Sequence, residues 1–424
     1  MTVFVPPPEL LTSPRGRDIT KRSRTAARVD AVPERADVVL VGGGLAALNL
    51  AATLWHAGVG EIVIVDREGR LGGRFFRRAD TLRQRTLRSP YEHHPGAEGH
   101  RDCELLDFAR LNWASLTSVE RREVRMAQAG HRALVPLDIF EAYVDHVVDA
   151  HDLAERLWQG DVLEVLPGAD EVVVRTTRGD ITASSAVLCT GEERAAWPGA
   201  LPDRTQYWDE PTSPAETTVV VGAGLSGAHL VADDLANGAQ VHWVLRKQNE
   251  HYQCADQNAS FFRAEGRSRF HDTTWEERLE LMSRHRIASV MFEFRPTLQK
   301  AEAEGRLTVH RGAEVTGLRT GGVVLADGST VSGDRAVLAL GTRPNVGSEL
   351  LTADVVGLRD GWPDLDEATL AYRAAPRVHA IGAAACMVLG PAARNIDGHR
   401  IGVSRVAGSV LAQVAAGETE RSHA

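Results

Sequence analysis

The fold is decided by two stretches of sequence, DVVLVGGGLAALNLAATLWHAG at residues 37–58 and TTVVVGAGLSGAHLVADDLANGAQVHWVLRK at residues 217–247. Each begins as an apolar strand pattern, turns at a glycine-rich segment and continues as an apolar-faced helix. A second strand follows in both copies, and in the first copy it is EIVIVD at residues 61–66. The two βαβ units predict an α/β chain with two Rossmann-like dinucleotide-binding domains.

The first glycine turn has the spacing G-x-G-x-x-A, formed by Gly42, Gly44 and Ala47. The first glycine permits the tight turn, the second lets a pyrophosphate approach the backbone, and the small third residue lets helix and strand pack closely. Asp66 ends the second strand, 66 − 42 = 24 residues after the first glycine. An acid there can accept a hydrogen bond from an adenosine ribose 2′-hydroxyl. The alternative is a Rossmann-like unit without a ligand.

The second glycine turn has the same spacing but a different charge at its second strand. Its turn residues are Gly222, Gly224, Ser226 and Gly227. Arg246 occupies the place of the acid, again 246 − 222 = 24 residues after the first glycine, and Lys247 follows it. Cations at this place can bind a 2′-phosphate, which favours NADP over NAD. The alternative is that the two charges only end a strand at the surface.

The rest of the chain is divided around these units. Residues 1–36 are rich in Pro, Arg, Ser and Thr without a sustained period, which predicts a flexible tail, with a lid or an oligomer arm as alternatives. We assign residues 37–213 to the first part of the first domain, 214–334 to an inserted second domain, and 335–424 to the completion of the first.

The amino-acid composition limits which classes of binding partner and which cellular compartment we expect. The formal net charge is −9, from 57 acidic and 48 basic residues, which does not favour nucleic acid or an anionic membrane. No apolar run is long enough for a transmembrane helix, and the N-terminus lacks a secretory pattern. Four scattered cysteines form neither a C-x-x-C pair nor a zinc-like cluster, so we expect no metal. A reduced cytoplasmic protein is the simplest interpretation, and a homo-oligomer stays open.

Over about residues 37–415 the chain resembles the flavoproteins that have two dinucleotide-binding domains. The resemblance is carried by GRLGGRF at residues 69–75, by the strand ends AVLCTG and AVLALGTRPN, and by the two glycine turns. It implies FAD in the first domain and NADP(H) in the second. The further cofactor contacts that it implies are Arg67, Gly73, Arg74, Gly191, Gly341, Arg343 and Gly382.

Within that superfamily the sequence is most similar to the flavin-containing, Baeyer-Villiger and amine N-hydroxylating monooxygenases. The redox cysteine pair of the disulfide reductases is missing, and so is their Asp after Gly382. The segment WPGALPDRTQY at residues 197–207 resembles the monooxygenase fingerprint, although Trp197 replaces Phe and Asp203 replaces His. A Pro-rich linker is the alternative for this segment.

The resemblance implies that NADPH reduces FAD and that O2 then forms a C4a-(hydro)peroxyflavin, which transfers one oxygen to a heteroatom, most plausibly an amine nitrogen, of a small metabolite. Candidate catalytic residues are Arg88, Tyr91 and His93 in LRSPYEHHPG, and Asn258 in the polar connector after the NADP strand. The alternatives are a reductase that passes electrons to a partner protein or small acceptor, and a non-catalytic flavin or nucleotide sensor.

Overall fold

The structure is a computed structural model that describes residues 8–19, 26–254, 261, 263–285 and 288–423. The strands are β1 (Arg35–Val41), β2 (Ile62–Asp66), β3 (Thr86–Leu87), β4 (Val135–Pro136), β5 (Leu157–Gln159), β6 (Val162–Pro167), β7 (Val172–Thr176), β8 (Gly179–Leu188), β9 (Glu192–Arg194), β10 (Thr205–Tyr207), β11 (Thr217–Val221), β12 (Gln240–Leu245), β13 (Leu307–Arg311), β14 (Val315–Arg319), β15 (Gly322–Leu325), β16 (Thr330–Ser332), β17 (Arg335–Leu338), β18 (Thr342–Pro344), β19 (Leu358–Arg359), β20 (Trp362–Pro363), β21 (Ala371–Tyr372) and β22 (Ala375–Ala380).

The helices connect these strands and cover the sheets. They are α1 (Leu45–His56), α2 (Gly73–Thr81), α3 (Leu105–Leu111), α4 (Ser118–Gln128), α5 (Leu137–Ala150), α6 (Leu225–Ala236), α7 (Ala264–His271), α8 (Trp275–His285), α9 (Arg295–Ala303), α10 (Ala353–Val356), α11 (Cys386–Leu389) and α12 (Ile396–His423). Short 3-10 turns include Pro8–Thr12, Arg101–Cys103 and Phe292–Phe294.

The first domain is built on a sheet whose parallel strands have the order β22–β8–β1–β2–β5. β21 pairs antiparallel with β22, and the β6–β7 hairpin pairs antiparallel with β8. β1 and β2 are apolar and almost wholly buried because α1, α12 and other elements cover both faces of the sheet. The last segment of the chain joins the first domain through β22, which pairs with β8, and through α12.

The second domain has a five-stranded parallel sheet in the order β10–β17–β11–β12–β13, with the antiparallel β14–β15–β16 meander beside it. The predicted limits 214–334 are therefore too narrow. β17 pairs with β11 and β10, so Arg335–Leu338 and Thr205–Tyr207 belong to this sheet. The sequence misassigned β17 because its apolar pattern is the same as that of β8, and pairing partners are set by tertiary structure. The two α/β domains, one inserted in the other, confirm the predicted fold class.

The chain crosses between the domains twice, at adjacent places. It leaves the first domain after β8 through β9, and it returns after β17 through β18. β9 and β18 pair antiparallel with each other, which forms a two-stranded connection. The two crossings therefore act as one ribbon rather than as two independent linkers.

The described part of the N-terminal segment is packed, which differs from the flexible tail expected for residues 1–36. Leu10 is fully buried in a cluster with Met291 and Phe294 of the second domain. Arg15 and Arg17 form ion pairs of 2.7 and 3.2 Å with Asp138 at the start of α5 in the first domain. Composition could not show this, because the buried carboxylates that hold the arginines lie more than 100 residues away in sequence. We call Pro8–Thr12 with Arg15 and Arg17 the N-terminal clasp.

Three histidines in the two domains are buried as neutral rings. Burial lowers the pKa of His94, His229 and His379 to about 4 in each case. His379 has Nε2 2.9 Å from the Ser409 hydroxyl, which gives one ring nitrogen a partner. The fold therefore favours the uncharged form of all three rings.

Candidate active site between two dinucleotide-binding domains

The glycine turn of the first domain is closed on one side and open on the other. Gly42 has φ of +99°, and a Cβ there would lie 2.8 Å from the carbonyl oxygen of Cys189. Only glycine fits this place without a shift. Gly44 is the N-cap of α1 and makes no side-chain cap hydrogen bond, so the first amides of α1 are available for a ligand. A helix N-terminus of this kind suits a pyrophosphate.

Asp66 lies where the sequence predicted it, at the end of β2 and against the glycine turn. Its Oδ2 accepts a hydrogen bond of 2.7 Å from Gly43 N, and its Oδ1 accepts one of 2.8 Å from Glu68 N. Burial raises the pKa of this carboxyl, while the two backbone bonds act in the opposite direction. Each oxygen has a second lone pair, so the carboxylate can still accept a ribose hydroxyl.

The second glycine turn has the same architecture. Gly222 has φ of +128°, and a Cβ on it would lie 2.2 Å from the carbonyl oxygen of Ala339, while the indole of Trp243 donates a 2.8 Å hydrogen bond to the Gly222 carbonyl. A Cβ on Gly227 would lie 2.3 Å from that same carbonyl oxygen. In contrast, nothing lies within 4 Å of a Cβ position at Gly224, the N-cap of α6. The open side of this turn faces the cavity described next.

A cavity of about 1280 Å³ lies between the two domains. Its charged lining residues are seven cations and three acids: Arg78, Arg88, Arg132, Arg246, Lys247, Arg263 and Arg394, with Glu92, Glu192 and Glu314. Arg246 and Lys247 are exposed to it and make no ion pair or side-chain hydrogen bond within the described part of the chain. Two such cations, next to a glycine turn, favour a bound anion.

A third helix N-terminus, that of α12, lies near the end of β22. Gly382 has φ of +80°, and a Cβ on it would lie 3.6 Å from Nε2 of His399. Among the described residues, Oδ2 of Asp397 and Nδ1 of His399 are buried without a hydrogen-bond partner. Buried polar atoms of this kind normally have partners, so they fit a bound group with donors and acceptors such as an isoalloxazine ring. Together with the α1 turn and Asp66, these residues fit FAD.

The candidate catalytic residues have different environments. His93 lines the cavity, and burial lowers its pKa, although Asp397 and Glu92 oppose the shift. Arg88 also lines the cavity, but its guanidinium holds the second domain, with bonds of 2.7 Å to Ser289 Oγ and 3.0 Å to Gln253 O. Asn258 lies outside the described residues.

Tyr91 is not placed as a catalytic residue would be. Its side chain is 1% exposed, is absent from the cavity lining, and has a hydroxyl without a hydrogen-bond partner among the described residues. The sequence could not distinguish this orientation, because the neighbours of Tyr91 in the loop, Pro90 and Glu92, do face the cavity. Packing of the ring in the first-domain core decides which side chain of the loop turns inward.

The other proposed cofactor contacts are divided between the cavity and the surface. Gly341 lines the cavity, and Gly191, with φ of +66° and open space at its Cβ position, lies in the connection after β8. Gly73 begins α2. In contrast, Arg67 pairs with Asp161 at 2.5 Å and is 83% exposed. Arg74 and Arg343 are exposed and do not line the cavity.

One charged pair in the cavity wall was not identified from the sequence. Arg394 pairs with Glu192 at 2.6 Å and lies just before α12, while Glu192 begins β9. The pair therefore joins the flavin-proximal helix to the inter-domain ribbon. No sequence pattern could have shown it, because 202 residues separate the partners.

The two glycine turns, Asp66 and the cation pair define a protein with two dinucleotide-binding domains, and the second glycine turn and the cation pair line the cavity between them. The chain belongs to the pyridine nucleotide-disulphide oxidoreductase family, whose model matches residues 118–408. A second model, described as FAD-NAD(P)-binding, matches residues 39–193, so the first domain carries that signature as well. No match was found among functionally curated sequences.

Solved structures with the same fold include three amine-modifying enzymes. The ornithine N-hydroxylase of Kutzneria sp. 744, solved with reduced FAD, NADP+ and L-ornithine, has a TM-score of 0.73 and 16% identity, covering 89% of this chain and 99% of that one. The reduced ornithine hydroxylase PvdA of Pseudomonas aeruginosa has a TM-score of 0.70 and 16% identity, covering 89% of this chain and 99% of that one. The FAD-bound cadaverine monooxygenase DfoA of Erwinia amylovora has a TM-score of 0.69 and 17% identity, covering 90% of this chain and 96% of that one. At sequence identities of 16–17%, the structural similarity to these enzymes shows that the fold is shared.

No described helix combines the length and the apolar character that a membrane span requires. The longest helix, α12, begins at Ile396 and ends at His423, and it carries charged residues along its length. It packs on α1 and β8 of the first domain.

Proposed function

We propose that the protein is an FAD-dependent, NADPH-using monooxygenase that hydroxylates an amine nitrogen of a small metabolite. The observation that carries the proposal is the cavity between the two domains, which brings the cation pair of the second domain and the loop with His93 to the same space. Arg246 and Lys247 lie at one wall, and the loop with His93 lies at another, beside the N-terminus of α12. The amine-hydroxylating relatives of the same fold support the choice of substrate class.

The proposed reaction balances as RNH2 + O2 + NADPH + H+ → RNHOH + H2O + NADP+. When bound, reduced FAD supplies the electrons that activate O2. The protein must hold the nicotinamide and the amine in the same cavity and limit access of bulk water. Phe75, Trp197 and Trp208 contribute apolar wall, and Arg88 holds the second domain against this wall through Ser289.

We propose that His93 takes part in proton transfer at the substrate nitrogen. An amine must be uncharged to receive oxygen, so a neutral base close to it is an advantage. Burial lowers the pKa of His93, which favours the uncharged ring, the form that can accept a proton. Arg88 positions the cavity wall. Tyr91 supports the loop from the core, and this packing role replaces the catalytic role that the sequence predicted for Tyr91.

The absence of a cysteine pair disfavours disulfide reduction despite the family's name. No disulfide joins the four cysteines, all of which lie in the described part of the chain, and Cys103, Cys189 and Cys386 are buried. Cys254 is exposed and lines the cavity, but it has no second thiol to form an internal disulfide with. Free thiols also support a reducing, cytoplasmic location.

Oxygen transfer is the direct test. The purified protein with FAD and NADPH is incubated under 18O2 with ornithine, lysine, cadaverine and putrescine, and products are examined by mass spectrometry. We expect an N-hydroxylated product that carries one 18O, with NADPH consumed in equal amount. A reductase would instead oxidise NADPH faster with quinone or ferredoxin than with O2 and leave every amine unlabelled. A sensor would bind FAD without being reduced by NADPH.

A further inference from the structure

Two histidines and a cysteine converge at the end of the first domain that is remote from the glycine turn. His56 is the last residue of α1, His151 is the C-cap of α5, and Cys103 ends the 3-10 turn Arg101–Cys103. One potential ligand atom from each lies within 4.8 Å of the other two. Cys103 and His151 are fully buried, and His56 is partly exposed. We call these three residues the His2Cys cluster.

The distances in the His2Cys cluster fit a tetrahedral metal ion. Nε2 of His151 lies 3.0 Å from Nε2 of His56 and 3.5 Å from Sγ of Cys103. Zinc bonds of about 2.0–2.1 Å to nitrogen and about 2.3 Å to sulfur require ligand separations of about 3.4 Å between nitrogens and about 3.6 Å between nitrogen and sulfur. A small outward movement of His56, the exposed member, therefore makes room for the ion.

The surroundings prepare His151 as a ligand. Its Nδ1 lies 2.6 Å from the carbonyl oxygen of Val147, and because that oxygen can only accept, Nδ1 carries the proton. The neutral ring then presents a lone pair on Nε2 toward His56 and Cys103. Metal-bound histidines are commonly oriented by this kind of bond from the other ring nitrogen.

The backbone also favours a cation at this place. α1 and α5 both end at the His2Cys cluster, and helix C-termini carry partial negative charge. Trp55 meets His56 and His151 edge-on, with ring centroids 5.2 and 5.0 Å apart, and limits their movement. His100, which is exposed, stacks on the partly exposed His56 with ring centroids 3.5 Å apart.

We propose that the His2Cys cluster is a zinc site with three protein ligands and a water in the fourth position. A thiolate with two imidazoles suits Zn2+, and binding displaces the thiol proton of Cys103 to solvent. The 12 residues of α1 place the cluster about 18 Å from the glycine turn, which is too far for a part in the redox reaction. The site is independent of the proposed function.

The ion would fix the loop that forms one wall of the cavity. The Cys103 carbonyl oxygen accepts a hydrogen bond from the Tyr143 hydroxyl, which also lies 3.0 Å from Nδ1 of His94. His94 in turn lies 3.2 Å from Glu104, and it directly follows in sequence His93, which lines the cavity. Gly96 fits tightly between Tyr143 and Cys103, where a Cβ would lie 2.3 Å from the hydroxyl. Zinc at Cys103 would therefore restrain the end of this loop that carries His94 and Gly96.

Zinc binding to the untagged full-length protein tests the proposal. After chelator treatment, we expect one Zn2+ per chain in competition with a chromophoric chelator, and weaker binding as pH falls. Zinc K-edge absorption should show one sulfur and two histidine nitrogens in the ligand shell. Cys103→Ser should remove the sulfur signal and lower affinity at least about 100-fold. Cys254→Ser, which removes an exposed cysteine outside the cluster, should change neither the sulfur signal nor the zinc affinity.

A second variant separates loss of ligand from loss of fold. His56→Gln changes a partly exposed side chain, and it should lower zinc affinity while circular dichroism and bound FAD stay unchanged. His100→Ala, which removes only the stacked ring, should retain the sulfur signal and stoichiometry. Zinc bound without a sulfur ligand, or equally by wild type and His56→Gln, would show that the cluster is an ordinary buried hydrogen-bonded group and would overturn the proposal.

Discussion

Neutralising Arg246 and Lys247 together should convert the protein from an NADPH-preferring to an indifferent enzyme. Both side chains are exposed to the cavity, so we assign each the low end of a charge-assisted hydrogen bond, about 1.5 kcal/mol. The pair then contributes about 3 kcal/mol to binding of the 2′-phosphate. At about 1.4 kcal/mol per tenfold, the ratio of kcat/KM for NADPH to that for NADH should fall about 100-fold.

The assay is steady-state NAD(P)H oxidation with Arg246→Ala, Lys247→Ala and the double variant, at low and high salt. The wild-type preference should weaken with salt because the partners are solvent-exposed charges. A matched control is the pair Arg319→Ala and Lys300→Ala, which removes one arginine and one lysine from the same domain outside the cavity. If the double variant slows NADPH and NADH equally, the two cations only end a strand and the reasoning is wrong.

Three further outcomes follow from buried groups. Tyr91→Phe should retain kcat and thermal stability, because the hydroxyl it removes has no partner among the described residues; a large loss of kcat would restore Tyr91 to the active site. Arg17→Ala should cost about 3–5 kcal/mol of unfolding free energy in urea titrations, because it leaves the buried carboxylate of Glu120 without its arginine, whereas Arg35→Ala, from an exposed pair, should cost about 0–1 kcal/mol. Stability should be full above about pH 6.5 and fall toward pH 4, since the unfolded state binds more protons than buried His229 and His379; a flat profile over that range would contradict their low pKa.

The sequence predicted the features that depend on local backbone. The glycine turns need residues without a side chain at Gly42 and Gly222, and the acid or base that ends the second strand lies at a fixed distance along the chain. Both turns are found where the pattern placed them, each opening onto the N-terminus of a helix. Fold class was predictable for the same reason, since the βαβ unit is a local arrangement.

The sequence could not predict contacts that depend on distant segments. Arg88 was predicted as a catalytic residue, yet its guanidinium also bonds Ser289, which is 201 residues away in sequence. The clasp arginines were assigned to a flexible tail. Their carboxylate partners lie on α4 and α5, far away in sequence, so the sequence did not show that the arginines are held. The strand β17 was assigned to the wrong domain, because an apolar strand carries no sign of which sheet it joins.

The N-terminal clasp has a mechanical consequence for the two domains. The β9–β18 ribbon is a narrow flexure about which the second domain can twist relative to the first. The clasp, like the hydrogen bond of Arg88 to Ser289, is an attachment away from that axis and opposes the twist for as long as it holds. Leu10 is inserted on the second domain while Arg15 and Arg17 are anchored on the first, so the clasp acts as a latch across the flexure. Any large rotation that admits or releases the nicotinamide must therefore withdraw Leu10 first, and shortening the chain before residue 13 should speed that exchange.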